Sequence, residues 1–402
     1  MKSLLMKSLL SILCFSLLFS LSADAQPKHP EGFKTLKIGD AAPDFSLPGI
    51  DGKTHTLGEY TGKKVLMVMF TCNHCPSAQA LEPRFKDFVR TYEPKGVSIV
   101  VISPNSPKGI RPNELGYSLY GDGFEDMIKH AKDQGFNFPY LYDGETQSAA
   151  KAYGCLATPH VFLFDSENKL RYKGRFDDSR FLDPATIDTH DAIDATDALL
   201  AGKEIAVAET RPHGCTTKWA FKEDQVREHN DKIESTPCTI ETIDDVGVAA
   251  LLHNDTGRFR MINVWATWCV PCVREFPDLV AVSRKFGLRD FEFNSISMDK
   301  LSQKAKAEAF LSKQGAAPEA KLAKALKAEG KATPHFLYEG KTKDLAQALD
   351  PQWPGPLPYT ILVDPKGEIV LRHSGMIDAE HLNKEIVEHI GKYYTPKPSK
   401  KK

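Results

Sequence analysis

A long apolar run, a Cys-x-x-Cys and a helical pattern follow one another twice in this chain, and 197 residues separate Cys72 from Cys269. That repeat limits the fold more than any other feature. In the first copy, Lys64-Val-Leu-Met-Val-Met-Phe70 is apolar without a break after its lysine, a run of the kind seen in a parallel strand covered on both faces. Cys72-Asn-His-Cys75 follows, and residues 76–92 have helical spacing. In the second copy, the strand spans 261–266, the cysteines are Cys269 and Cys272, and the helix spans 270–286.

The surroundings of the two motifs repeat as well. In the first half, residues 45–57 alternate around Asp51-Gly52 and predict a hairpin. Strands are predicted at 97–102, 160–165 and 170–176, and helices at 124–134, 147–153 and 191–201. The second half predicts strands at 291–298, 359–364 and 368–372, and helices at 304–329 and 378–390. Alternating strands and helices give an α/β class: two domains, each a central mixed, mostly parallel sheet flanked by helices. A length of 402 residues accommodates two domains of about 150 residues or more. The expected boundaries are 34–220 and 237–393. Between them, 221–236 is a charged linker or a solvated helix, and 394–402 is a basic tail.

With 52 Lys+Arg against 53 Asp+Glu, the net charge is −1, so no polyanion-binding field is implied and nucleic acid is not an expected partner. Residues 1–25 read as a secretory signal peptide. Lys2 and Lys7 precede an apolar stretch over 9–21, and Ala23-Asp24-Ala25 supplies the small residues of a cleavage site. The chain is therefore expected to be exported, to the periplasm or another extracytoplasmic space, where disulfides persist. Beyond Cys14 there are seven cysteines, an odd number, so at least one is free or pairs between molecules.

Dithiol–disulfide exchange needs a thiolate and a second thiol close enough to resolve the mixed disulfide. A Cys-x-x-Cys opening a helix meets both needs, because the helix N-terminus stabilises the first thiolate. Cys72 and Cys269 are thus expected as exposed attackers, with Cys75 and Cys272 as more buried resolvers. A four-thiolate zinc site could use the same spacing, but each pair follows a strand and opens a helix, which suits redox chemistry; no metal is expected. His74 would stabilise the Cys72 thiolate and make the first disulfide the more oxidising, or it is an exposed turn histidine with little coupling. The second motif has Pro271 at that position. Cys155 is a third redox thiol, half of a structural disulfide with Cys215, or a buried inert cysteine. Cys238 has no evident partner.

Asn263-Val-Trp-Ala-Thr-Trp-Cys-Val-Pro-Cys272 resembles the active-site segment of thioredoxins, in the form found in exported thiol:disulfide reductases. Pro277 resembles the proline inside the thioredoxin helix, and Leu357-Pro358-Tyr359-Thr360 resembles the cis-proline loop. Where thioredoxin has a buried acid, this chain has Asn263, so another group or water must deprotonate the resolver. Residues near 304–353 are an insertion. The first half is similar to the peroxiredoxin-like branch of the same superfamily (alkyl hydroperoxide reductase/thiol-specific antioxidant type). The similarity rests on Ile38-Gly-Asp-Ala-Ala-Pro-Asp-Phe45, Cys72-Asn-His-Cys-Pro76 and Ala157-Thr-Pro-His160, with Pro159 as the cis-proline. Val65 and Met69 occupy the positions where peroxidatic sites carry proline and threonine.

The resemblance implies a thiol:disulfide oxidoreductase with Cys72, Cys75, Cys269 and Cys272 as redox centres and Trp268 on the active-site rim. Pro159 and Pro358 would line the substrate groove. No organic cofactor is needed, and the partners are protein disulfide substrates and a thiol-donating redox protein. Two rival readings are a thiol peroxidase centred on Cys72 and a client-binding module with one inactive domain.

Overall fold

The computed structural model describes residues 29–396. The expected signal peptide and residues 397–402 lie outside them. The chain opens with the hairpin β1 (Ser46–Pro48) and β2 (Thr54–Thr56), paired antiparallel around a turn in which Gly52 takes φ +80°. Next come β3 (Val65–Phe70), α1 (Pro76–Tyr92), β4 (Val97–Ser103), α2 (Phe124–Gln134), β5 (Tyr140–Tyr142) and α3 (Ser148–Tyr153). The first domain finishes with β6 (Ala157–Thr158), β7 (His160–Asp165), β8 (Leu170–Gly174), α4 (Asp191–Leu200) and β9 (Cys215–Thr216). Its sheet has the order β5-β4-β3-β7-β8; β3, β4 and β5 are parallel, while β7 and β8 are antiparallel. All six residues of β3 are buried, because helices cover both faces of this central strand, and that explains the unbroken apolar run.

The charged stretch between the halves folds as α5 (Glu223–Glu234), with only Ile233 buried, so the solvated helix is correct. The second domain continues with β10 (Glu241–Ile243), α6 (Asp245–His253), β11 (Phe259–Trp265), α7 (Val270–Lys285) and β12 (Phe291–Ser297). After α8 (Lys304–Lys313) and α9 (Ala320–Ala328) come β13 (His335–Tyr338), α10 (Thr342–Leu349), β14 (Tyr359–Val363), β15 (Ile369–Ser374) and α11 (Ala379–Ile390). The helical stretch expected over 304–329 is broken, because Gly315 takes φ +63° and Pro318 follows. The sheet order is β10-β13-β12-β11-β14-β15. The insertion therefore supplies β13, an interior strand parallel to β10 and β12.

Apolar clusters fill both faces of each sheet. The domains meet where Arg289 lies 3.7 Å over the Tyr117 ring and its Nη1 donates to the Gly116 carbonyl at 2.6 Å. A Cβ on Gly116 would sit 2.7 Å from the Lys285 carbonyl oxygen, so the contact depends on glycine there. The Arg289 Nη2 donates to the carbonyls of Ile390 and Gly391. The chain then crosses to the first domain, and the Tyr394 ring meets Tyr117 edge-on at 5.2 Å. Residue 394, the expected start of the basic tail, is thus packed against the first domain. Among the described residues, no helix is long and apolar enough to cross a membrane.

Candidate active sites

At both motifs the chain leaves the C-terminal end of a central strand and turns into a helix. The second cysteine of the first motif, Cys75, is the N-cap of α1, with Pro76 at the first helical position. In the second motif Cys269 is the N-cap of α7, and its Sγ accepts the Cys272 N–H at 3.3 Å. The antiparallel neighbour of each central strand brings a cis peptide bond to the same end: Thr158–Pro159 before β7 and Leu357–Pro358 before β14.

The first site is closed. Cys72 is 1 % exposed and Cys75 is fully buried, so the expectation of an exposed Cys72 needs correction. The reason lies in residues that pair over the motif: β9 joins β6 through Thr158 and Cys215. The Thr158 hydroxyl lies 3.0 Å from the Cys72 Sγ, and the Cys75 thiol donates to the Thr158 carbonyl at 3.3 Å. The Cys215 N–H donates to the Cys75 Sγ, also at 3.3 Å.

His74 is buried, not an exposed turn residue, and its Nδ1 lies 2.6 Å from Asp122 Oδ2. Asp122, itself buried, accepts the N–H groups of Asn73 and His74 on Oδ1 and the Asn105 amide on Oδ2. Cys72, His74 and Asp122 bring ligand atoms within 4.8 Å of one another, but the carboxylate oxygens are occupied by these four contacts. Asn73 is fixed too: its Oδ1 accepts from the Tyr140 hydroxyl and faces His130, and its amide donates to Gly121. The dipeptide between the cysteines is therefore held rigidly from α2 and the loop before it.

Burial disfavours every charge in this site, so its electrostatics depend on which groups offset that cost. For His74, desolvation acts downward, but the Asp122 charge and hydrogen bond outweigh it and raise the imidazole above its usual range. Asp122 responds in kind and is lowered despite its burial. Desolvation would also raise Cys75, but hydrogen bonds from Cys215 and Cys72 and the charge on His74 hold it well below the usual thiol range. Cys72 is raised by burial, by its hydrogen bond to Cys75 and by Asp122. His74 thus favours a thiolate at Cys75, whereas the sequence pointed to Cys72.

Cys155 and Cys215 are not bonded to each other. Cys155 is buried, donates to the Ala157 carbonyl and receives the Thr217 hydroxyl, and burial pushes it up to about 12. That environment is inert. Cys215 instead packs against Cys75 and is partly exposed. Cys238 is buried in the second core and pushed up to about 11 by desolvation.

The second site holds a Cys269–Cys272 disulfide. Cys269 is 5 % exposed, so its expected exposure needs correction too, because the residue is part of the domain core cluster; the rim beside it is open and apolar, with Trp268 60 % and Val270 69 % exposed and Pro271 exposed as well. Trp265 lies in the core. Asn263 is part of a buried chain, its amide donating to Glu275 Oε1 and to the Thr360 hydroxyl. Glu275 Oε2 accepts the Ile377 N–H. Burial pushes this carboxyl up to about 7, although those two hydrogen bonds act downward. The acid missing from position 263 is therefore supplied by α7, three residues beyond Cys272. A readable signal existed, because Glu275 interrupts the apolar face formed by Cys272, Phe276 and Leu279. Asp122 had no such signal, since it sits in a Gly-Asp-Gly loop without periodicity.

Known proteins match both halves. The family model described as AhpC/TSA family covers residues 38–173, and the one described as Redoxin covers 237–388. The chain is 33% identical over 148 residues to the thiol-disulfide oxidoreductase ResA of Oceanobacillus iheyensis, covering 36% of this chain and 67% of that one. It belongs to the thioredoxin superfamily.

Two such domains stand in tandem, and the chain is an oxidoreductase of the thioredoxin-like class. ResA of Geobacillus thermodenitrificans is 28% identical over 134 residues, 33% of this chain and 67% of that one. A solved structure of a hypothetical protein from Sinorhizobium meliloti is 33% identical and covers 46% of this chain and 96% of its own, with a TM-score of 0.41.

Proposed function

We propose that this protein is an exported thiol:disulfide oxidoreductase that works on protein disulfides through two centres, Cys72/Cys75 and Cys269/Cys272. The observation that carries this reading is the Cys269–Cys272 disulfide at the start of α7, with an open apolar rim in front and a buried acid behind. In the reduced form the Cys269 thiolate attacks a substrate disulfide and displaces one substrate thiolate. Cys272 then attacks the Cys269 sulfur, releases the second substrate thiol and reforms the disulfide. Glu275 is suited to take the Cys272 proton, since a base near 7 works best at neutral pH. The thiols supply the electrons, so no organic cofactor takes part, and a thiol-donating redox protein restores the dithiol. The charged and apolar stretches of residues 1–25 support export. Pro159, Pro271 and Pro358 shape the edges where substrate backbone lies.

The first pair is the more oxidising one, because His74 and the surrounding donors stabilise its thiolate form. A redox titration in glutathione or dithiothreitol buffers, with alkylation and peptide masses following each pair, tests this. The second pair is expected to titrate near thioredoxin at about −270 mV, and the first nearer about −120 to −200 mV. If neither pair interconverts across that range, the exchange reading is wrong.

A second reading is thiol-dependent peroxide reduction at Cys72. It is favoured by the AhpC/TSA match and by the Thr158 hydroxyl beside the sulfur. Peroxide consumption that disappears in Cys72→Ser would replace the exchange reading for the first domain.

A further inference from the structure

The first dithiol presents a physical problem. Cys72 and Cys75 are sealed from solvent, yet any exchange with another protein needs a sulfur that a partner can reach. One cysteine in contact with the pair is not fully buried: the residue Cys215, on β9, is partly exposed and packs against the Cys72–Cys75 cluster. The backbone fixes this meeting. The Thr158–Cys215 register brings β9 to the cis-proline loop, and Gly214 permits it, because a Cβ there would lie 2.0 Å from the Thr158 carbonyl oxygen. The Cys215 backbone N–H then holds the Cys75 sulfur against this residue at 3.3 Å.

We propose that Cys215 is a third redox thiol, the port through which the buried Cys72–Cys75 disulfide exchanges with outside dithiols. This rests on the exchange reading above and adds a residue and a route to it. The Cys215 thiol loses its proton to solvent, and its thiolate attacks the Cys75 sulfur of the Cys72–Cys75 disulfide. The Cys72–Cys75 bond breaks, a Cys75–Cys215 bond forms, and Cys72 leaves as a thiolate beside the Thr158 hydroxyl. No electrons are gained or lost in this step. A dithiol donor then attacks the accessible Cys215 sulfur and releases the Cys75 thiolate. Its second thiol next displaces Cys215, so the pair gains two electrons and the donor becomes a disulfide.

The electrostatics agree with this direction. In the dithiol state Cys215 is raised, first by its hydrogen bond to Cys75 and then by burial and the Cys75 charge. Once Cys75 is in a disulfide it carries no charge, and two of those three causes vanish. Cys215 therefore ionises more readily when there is a disulfide to attack.

The test uses the full chain, oxidised with excess diamide and mapped by non-reducing digestion and mass spectrometry. The expected result is a Cys75–Cys215 link alongside Cys72–Cys75 in the wild type, and Cys75–Cys215 alone among these three in Cys72→Ala. In Cys215→Ser, the Cys72–Cys75 disulfide should still form, but dithiothreitol should reduce it at least about tenfold more slowly. An unchanged reduction rate in Cys215→Ser, or free Cys75 and Cys215 in oxidised Cys72→Ala, overturns the port. If Cys72–Cys75 fails to form in the wild type, it is the exchange reading of the first pair that falls, and the port with it.

Discussion

The two dithiol sites share a backbone and differ in nearly everything around it. Each follows the central strand of its sheet, opens a helix that contains an internal proline, Pro83 or Pro277, and stands beside a cis-proline. The first is enclosed, with a histidine–aspartate pair beneath it and a third thiol against it. The second has an exposed tryptophan at its mouth and, behind it, a buried carboxyl with no histidine partner among the described residues, Glu275, that burial keeps partly protonated near neutral pH. On the exchange reading proposed above, the shared scaffold is what lets both cycle between dithiol and disulfide. The differing neighbours decide which sulfur carries charge, who can approach it and where its proton goes.

The largest predicted effect comes from removing the charge beneath the first site. In Asp122→Asn, His74 loses its counter-charge, and the new amide directs N–H groups at the Asn105 amide. Breaking such a buried pair costs about 3–5 kcal/mol, read as a fall in the unfolding free energy of the reduced protein. The pH dependence checks the cause. The raised His74 contributes stability that is complete below 6.5 and lost as pH rises through its folded value. The lowered Asp122 contributes stability that is complete above 3.8 and lost as pH falls through its folded value. Between 3.8 and 6.5 both contribute, and the variant should lose that maximum. Its first-pair titration midpoint should also move toward that of the second pair. A variant with unchanged stability and an unchanged difference between the midpoints would show that the pair does not distinguish the sites.

These features divide by how local their causes are. The central strands and α1 were legible almost to the residue, because a sheet strand covered on both faces is apolar throughout and Pro76 marks a helix start. Strand β13 was not, having four residues and no alternation. The tetrapeptide Ala-Thr-Pro-His shows the limit most directly. At 157–160 its Thr-Pro bond is cis and faces the first dithiol, whereas at 332–335 the same residues lead into β13 with no cis bond. Local sequence cannot separate the two, since tertiary packing selects the isomer. At the sites, the positions of the four motif cysteines and of Trp268 on the rim were readable, while both cis-prolines came from the family resemblance and not from the local residues. Of the partners that tune them, His74 was named, but the contacts of three others with the first pair were not readable. Asp122, Thr158 and Cys215 lie 47, 83 and 140 residues beyond Cys75, and only the folded sheet brings them there.

The second prediction concerns the proton at the open site. Glu275→Gln keeps the shape of the side chain, and Asn263 can turn its amide to suit it, because the Asn263 Oδ1 has no hydrogen-bond partner among the described residues. Resolution of a mixed disulfide on Cys269 should slow on the order of 10²-fold, the scale of a lost general base. Its rate should also lose the inflection near pH 7 set by the raised carboxyl. Because that carboxyl is raised, the folded state holds its proton over the range from 4.5 to about 7, and stability falls as pH rises through it. The variant should lose that fall. First-site kinetics should not change, and a matching loss there would mean the sites do not work independently.

The smallest effect belongs to the rim. Trp268 is mostly exposed, so Trp268→Ala removes little buried area and should shift stability by less than about 0.5 kcal/mol. Its ring and the exposed Val270 offer an apolar surface to a protein chain but nothing to a small thiol. Reduction of an unfolded protein disulfide by the second site should therefore show a KM raised several-fold with kcat unchanged. Reaction of the same disulfide with dithiothreitol should proceed at the wild-type rate. The first site has no such rim, so its kinetics with both partners should stay constant in this variant. If dithiothreitol and the protein substrate slow together, Trp268 acts on the disulfide itself and not on substrate docking. The contrast between a site that receives proteins directly and one reached through a third thiol would then need another basis.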